Sequence, residues 1–162
     1  LSLQQENKEL PEFLHPESMG VFVEGWALYA ESLGRELGLY KDPIQYFGML
    51  SMEMHRAIRL VVDTGIHSKG WTREQAIQYS LDNEAESEES VIAEIERYMA
   101  TPGQALSYKI GQLKIRELRT KAETKLGDKF SVTEFHNQVL NSGSLPLVLL
   151  EAKIDNWINL QI

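Results

Sequence analysis

The chain has 162 residues, 43% hydrophobic and 25% charged, which is enough apolar material for one packed core. Its 16 Lys and Arg against 24 Asp and Glu leave a net charge of −8, the wrong sign for a nucleic-acid backbone and no attraction to an anionic membrane surface. There is no cysteine, which excludes a disulfide scaffold, a thiolate metal site and a cysteine nucleophile.

The chain opens on Leu1-Ser2-Leu3 without a Met, so we expect the true N-terminus to lie upstream and the chain to be a fragment. Leu1 to Leu10 reads as the end of a helix stopped by Pro11. From Glu17 to Leu37, Phe22, Trp26, Tyr29, Leu33 and Leu37 recur at helical spacing and predict one buried face, with Gly38 as the stop. A second long helix is predicted from Pro43, in its first turn, to about Thr64. Its core face is expected from Ile44, Phe47, Leu50, Met54, Ile58 and Val61 or Val62.

Thr72-Arg73-Glu74-Gln75 has the form of a capping box, and Ser131-Val132-Thr133-Glu134 has it too. Thr101-Pro102-Gly103-Gln104 repeats the logic with proline in the first helical position, predicting a helix to about Leu126 closed by Gly127. A helix over Ser87 to Met99 and a last one from Pro146 to about Leu160 complete the set. The acidic stretch Asp82 to Glu89 reads as a solvated loop with a helix start. The longest apolar run, Leu145 to Leu150, holds Pro146 and is far short of the roughly 18 residues a membrane span needs. The expectation is an all-α single unit over residues 1–162.

Glu24 and Glu31 are the ionisable residues that look out of place. They lie seven apart in the aromatic helix, on one face. A carboxylate among large apolar side chains needs a metal, an arginine or hydrogen-bond donors, although most acidic residues touch water. The four histidines, His15, His55, His67 and His136, show no His-Glu-x-x-His spacing. His67 stands apart because it follows Asp63-Thr64-Gly65 and precedes Gly70-Trp71, in what reads as a glycine-flanked loop. Tyr108 sits near the start of the Thr101 helix, where small Gly103 and Ser107 allow a helix or a ligand to come close. Taken singly, helix packing accounts for it. No Gly-x-Ser-x-Gly elbow and no glycine-rich phosphate loop occurs.

Four stretches in order carry more than any of these. They are Glu24-Gly25-Trp26-Ala27-Leu28-Tyr29-Ala30-Glu31, Arg59 to His67 (reading Arg-Leu-Val-Val-Asp-Thr-Gly-Ile-His), Gly70 to Ala76, and Pro102 to Gly111. Together they resemble the C-terminal part of the bacterial domain-of-unknown-function family 885, from Leu1 to about Trp157. Members of that family resemble helical zinc peptidases of the gluzincin type, such as carboxypeptidase Taq. The resemblance implies a helical bundle-like C-terminal half of a larger, mostly helical catalytic domain. The family's His-Glu zinc motif would lie before Leu1.

On the same resemblance, Glu24 matches the third zinc ligand, and Glu31 a group behind it that orients a histidine or the metal's water. Tyr108 matches a tyrosine that faces the developing oxyanion. His67 serves that oxyanion or the substrate backbone, Arg59 pairs with a substrate carboxylate, and Asp63 holds Arg59 or His67. The implied function is zinc-dependent hydrolysis of peptide bonds. The implied partners are a peptide substrate and the missing N-terminal part, and the implied location is the cell envelope or periplasm. This chain alone is expected to be inactive, without tight zinc binding, and to self-associate through exposed apolar surface. The alternative is a non-catalytic helical peptide-binding or scaffold module.

Overall fold

The computed structural model describes Gln4, residues 6–15 and residues 18–162. The described residues hold seven α-helices: α1 (Gly20–Glu36), α2 (Pro43–Lys69), α3 (Arg73–Asn83), α4 (Glu88–Ala100), α5 (Ser107–Leu126), α6 (Val132–Leu140) and α7 (Leu147–Gln161). Short 3-10 turns occupy Glu12–Leu14, Gln104–Leu106 and Gly127–Lys129, and no strand occurs among these residues. The chain is all-α, as its periodicity predicts. Of the helix expected over Leu1 to Leu10, Gln4 and Glu6 are helical, Asn7 is irregular and residues 8–10 are turn or bend, so any helix ends before Asn7 and well short of Pro11. Residues 1–3 and 5 lie outside the described residues, as does the expected start at Glu17.

Most helix starts follow from local chemistry. Asp42 accepts from the backbone N–H of Ile44 and Gln45, just ahead of Pro43. Thr72 and Gln75 form the complete reciprocal capping box. Ser87 accepts from Ser90 N and Ser131 from Glu134 N. Thr101 is the exception. It closes α4, its N–H and hydroxyl both turned back to Arg97 O. Gly103, at φ 81°, then breaks the path, so α5 begins only at Ser107. A Thr-Pro-Gly sequence makes as good a C-terminal stop as an N-terminal start, and the left-handed glycine decides between them. A Cβ on Gly103 would meet nothing within 4 Å, so this glycine serves the turn and not a close approach.

By contacts the chain divides into two compact units: Leu1–Tyr29 with Ile110–Ile162, and Ala30–Lys109. In the first, α6 packs on α7, and the ring of Phe135, fully buried, lies 6.5 Å from that of Trp157 at a tilt of 49°. Ile115, Leu118, Ala122, Leu150 and Ile154 are also fully buried. In the second, α2, α3 and α4 pack on one another, and the Gln104–Leu106 turn packs on α2. Their core is Ile58, Val62, Ala76, Val91, Ile95, Tyr98 and Ala105. Each buried aliphatic side chain of this kind contributes roughly 1.5–3 kcal/mol.

Two expected core faces are corrected. On α1, Phe22 and Tyr29 are buried, but Leu37 lies past the helix end and is 69% exposed. On α2, only Ile58 and Val62 of the expected stripe are buried, together with Met49. Ile44, Phe47, Leu50, Met54 and Val61 are exposed, Ile44 at 81%. Periodicity finds an apolar stripe but not the element that covers it.

Candidate functional site

The second unit holds a polar network built on α2. Arg59 is only 8% exposed. Its Nη2 donates to Glu94 Oε2 at 2.9 Å and to His55 Nε2, one turn back, at 3.0 Å. His55 Nδ1 in turn donates to Glu84 Oε2. These two bonds fix His55 as the neutral Nδ1–H tautomer, because Nε2 has to accept from a guanidinium. Glu84 belongs to the acidic stretch read as a solvated loop, yet only 7% of its side chain is exposed.

Glu94 gathers three donors. Arg97 reaches it from both Nε and Nη2, Tyr98 from its hydroxyl at 2.6 Å, and Arg59 from α2. The hydrogen bonds from Arg97 lead in pulling its carboxyl down to about 2, helped by those from Tyr98 and by the Arg59 charge and opposed by burial. Burial and the Glu94 bond push the Tyr98 hydroxyl upward. Arg97 Nη1 also holds Gln104 of the turn that leads into α5.

Tyr108 lies beside this network. The Arg59 guanidinium carbon stands 4.9 Å from the centre of its ring and that of Arg56 stands 5.9 Å from it. Tyr108 is half-buried, and its hydroxyl has no hydrogen-bond partner among the described residues. Asp63, 2% exposed, accepts the Gly103 N–H with both carboxylate oxygens, at 3.0 and 3.3 Å. It therefore braces the turn before Tyr108, rather than the side chain of Arg59 or His67 that the sequence reading gave it.

His67 is not in a loop. α2 continues through Gly65 to Lys69 and stops at Gly70, at φ 69°. Gly65 is in the helix because Trp71 folds back over it, where a Cβ would lie 2.5 Å from the indole. That glycine marks close packing and not a turn. His67 is exposed in the last turn, and its Nε2 donates to Tyr98 O at 3.0 Å. In the neutral ring this leaves Nδ1 as an acceptor.

Glu24 lies in the first unit, in α1 and next to Gly25. It is half-buried, and its carboxylate has no hydrogen-bond or ion-pair partner among the described residues. One turn on, the buried Tyr29 hydroxyl meets His136 Nε2 at 2.8 Å and accepts from Arg119 at 3.2 Å, with Trp26 against the imidazole. Glu31 belongs to the second unit and is exposed, and its backbone carbonyl accepts from the Tyr40 hydroxyl.

The structure thus brings Arg59 and Tyr108 together, and braces Asp63 and His67 on neighbouring turns. No group of three or more His, Cys, Asp or Glu able to hold a metal occurs among the described residues. The sequence reading missed Arg56, His55, Glu84 and Glu94. The spacing of His55 and Arg59, of Arg56 and Arg59, and of Glu94, Arg97 and Tyr98 by three or four residues was the available signal.

The family model described as bacterial protein of unknown function, DUF885, matches residues 1–154. No curated protein matches the chain. A solved structure named "putative lipoprotein", from Colwellia psychrerythraea, is 49% identical with a TM-score of 0.94, over 97% of this chain and 27% of its own. A second, a "putative lipoprotein of unknown function" from Shewanella oneidensis, is 25% identical with a TM-score of 0.85, over 93% of this chain and 28% of its own. The chain therefore spans about a quarter of these relatives.

Proposed function

The chain belongs to the bacterial family of unknown function DUF885, and from that premise we propose that it is the C-terminal part of a zinc-dependent peptidase. One observation carries the reading. The Tyr108 hydroxyl has no hydrogen-bond partner among the described residues, and the guanidinium carbons of Arg59 and Arg56 stand 4.9 and 5.9 Å from the centre of its ring. A donor fixed in a positive surrounding suits negative charge that develops during amide hydrolysis, because it stabilises the transition state more than the ground state.

Glu24 fits a zinc ligand in one respect: it is a half-buried carboxylate with no protein partner among the described residues. The described residues gather no group of three or more possible ligands around it. Zinc, when bound in such sites, lowers the pKa of its water to about 7. Tyr108 donates its hydroxyl proton in a hydrogen bond to the carbonyl oxygen as that oxygen gains charge. His67, with Nε2–H committed to Tyr98 O, offers Nδ1 as an acceptor for a substrate backbone N–H, which favours substrate binding over the oxyanion role. Arg59, fixed by Glu94 and His55, holds the Tyr108 ring in place. The names of the two solved relatives support a place in the cell envelope, and no described helix is long and apolar enough to cross a membrane.

The test is peptide hydrolysis by the protein expressed from its complete native gene. Tyr108→Phe removes only the hydroxyl and should lower kcat by about 10²–10³-fold with KM little changed. An unchanged kcat removes Tyr108 from the chemistry.

A further inference from the structure

His55 stands among two carboxylates and a guanidinium. Its Nδ1–H donates to Glu84, at the end of α3, and its Nε2 accepts from Arg59 Nη2 at 3.0 Å. The same Nε2 lies 4.0 Å from Glu94 Oε2 on α4. The side chains of His55 and Glu84 are both largely buried, so these charges meet with little water between them.

The elements packed on α2 are α3, α4 and the Gln104–Leu106 turn. Toward His55, α3 presents Glu84, and α4 presents Glu94 with Arg97 and the Tyr98 hydroxyl bound to it. The turn carries no charged residue. On α2 itself Arg56 and Arg59 follow His55, and Glu53 before it pairs with Lys109 of α5.

This arrangement needs a neutral imidazole, because only a bare Nε2 accepts from a guanidinium. A second proton turns Nε2 from acceptor into donor, facing another donor at 3.0 Å. The carboxylate within reach of the new N–H is Glu94, through Oε2. That oxygen already takes three donors: Arg59 Nη2, Arg97 Nη2 and the Tyr98 hydroxyl. A carboxylate oxygen offers about two lone-pair directions, so a fourth donor displaces one already there, and Arg59 is the one that collides with it. Both side-chain hydrogen bonds of Arg59 leave from Nη2, and its buried Nε has no partner among the described residues. Without those two bonds nothing polar holds the guanidinium that stands 4.9 Å from the centre of the Tyr108 ring.

We propose that His55 is a proton-operated catch on this site: neutral, it locks Arg59 against Tyr108, and protonated, it takes Glu94 and lets Arg59 go. The proposal rests on the peptidase reading and adds its regulation, with activity lost on acidification while the fold persists. His55 acts through Arg59 and touches no substrate, so it is a positioning residue.

The experiment follows the protein from the complete native gene by NMR, with carbon-13 in histidine Cε1 and in the tyrosine rings. The pH is lowered from 8 to 5, where imidazoles ordinarily change charge. Glu94, held at about 2, stays ionised throughout. The His55 signal, assigned by its loss in His55→Gln, should titrate. The Tyr108 signal, assigned by its loss in Tyr108→Phe, should shift with the same midpoint. Glu84→Gln removes the charge facing Nδ1 and should move both midpoints down together, by about 1 pH unit. A His55 signal that does not change over this range overturns the proposal. So does a Tyr108 signal that stays still or follows a different midpoint, and so do midpoints that separate in Glu84→Gln. Peptide hydrolysis is scored separately: kcat should fall as His55 gains its proton. No cleavage at any pH counts against the peptidase, whereas cleavage indifferent to the His55 midpoint counts against the catch.

Discussion

Gly25 and Gly111 meet backbone to backbone: a Cβ on Gly25 would lie 2.4 Å from Gly111 Cα, and one on Gly111 would lie 2.0 Å from Val21 O. Helices α1 and α5 cross there at a distance only glycine permits, and the atoms in the way are main chain, which cannot swing aside. Gly25→Ala and Gly111→Ala should each destabilise the protein by about 1–3 kcal/mol or more. Their effects should fall well short of additive, because the first methyl already forces the helices apart. Urea midpoints of the two single variants and the double variant check this. Wild-type stability in either single variant contradicts the crossing.

The carboxyl of Glu94 is held at about 2 in the folded state, against an ordinary 4.5. Because the folded value lies below the unfolded one, its stabilisation is complete above about pH 4.5 and is lost as the pH falls through 2. With 29% of the side chain exposed, solvent screening reduces the contribution to about 1–2 kcal/mol. Denaturant midpoints measured from pH 5 down to 2 should fall less steeply in Glu94→Gln than in wild type. Parallel acid limbs would remove Glu94 as their source.

Asp63 is buried and both its carboxylate oxygens serve one backbone N–H, that of Gly103. Asp63→Ala leaves that donor unmet and should cost roughly 1.5–3 kcal/mol, whereas Asp63→Asn keeps an acceptor and should cost less. Thermal melts of the pair decide it. Equal melting temperatures for the two variants would show that the turn does not depend on this acceptor.

The exposed stripe on α2 (Ile44, Phe47, Leu50 and Met54, with Leu37 and Leu39 nearby in sequence) is contiguous by helical spacing. Isolated, this 162-residue chain should sediment above its 18.5 kDa monomer mass at micromolar concentration. Phe47→Glu should shift it toward monomer. A monodisperse wild-type monomer goes against the stripe as a sticky face.

Much of the fold can be read from the sequence because its helix signals are local. Thr72, Ser87 and Ser131 each cap the helix they precede, and Gly38, Gly70 and Gly127 follow helix ends in left-handed conformation. Thr101 misleads because the side chain that suits an N-cap also returns to the helix before it. His67 misleads because Gly65 looks like a terminator and is packing space for Trp71. The exposed α2 stripe is invisible in principle, since a periodic apolar face looks the same whether or not another element covers it. The site is legible only in part. Arg59 and Tyr108 can be picked out by motif, but the bonds from His55 to Glu84 and from Arg59 to Glu94 join α2 to the end of α3 and to α4, and no local spacing predicts that pairing.

The central claim, that Glu24 is a zinc ligand, is tested most directly by the metal content of the protein purified from its complete native gene. The account predicts about one zinc per chain. Glu24→Gln should lose it while keeping the wild-type helix content. Wild-type protein without zinc, or a Glu24→Gln variant that keeps it, contradicts the peptidase reading and leaves a non-catalytic peptide-binding module as the better account.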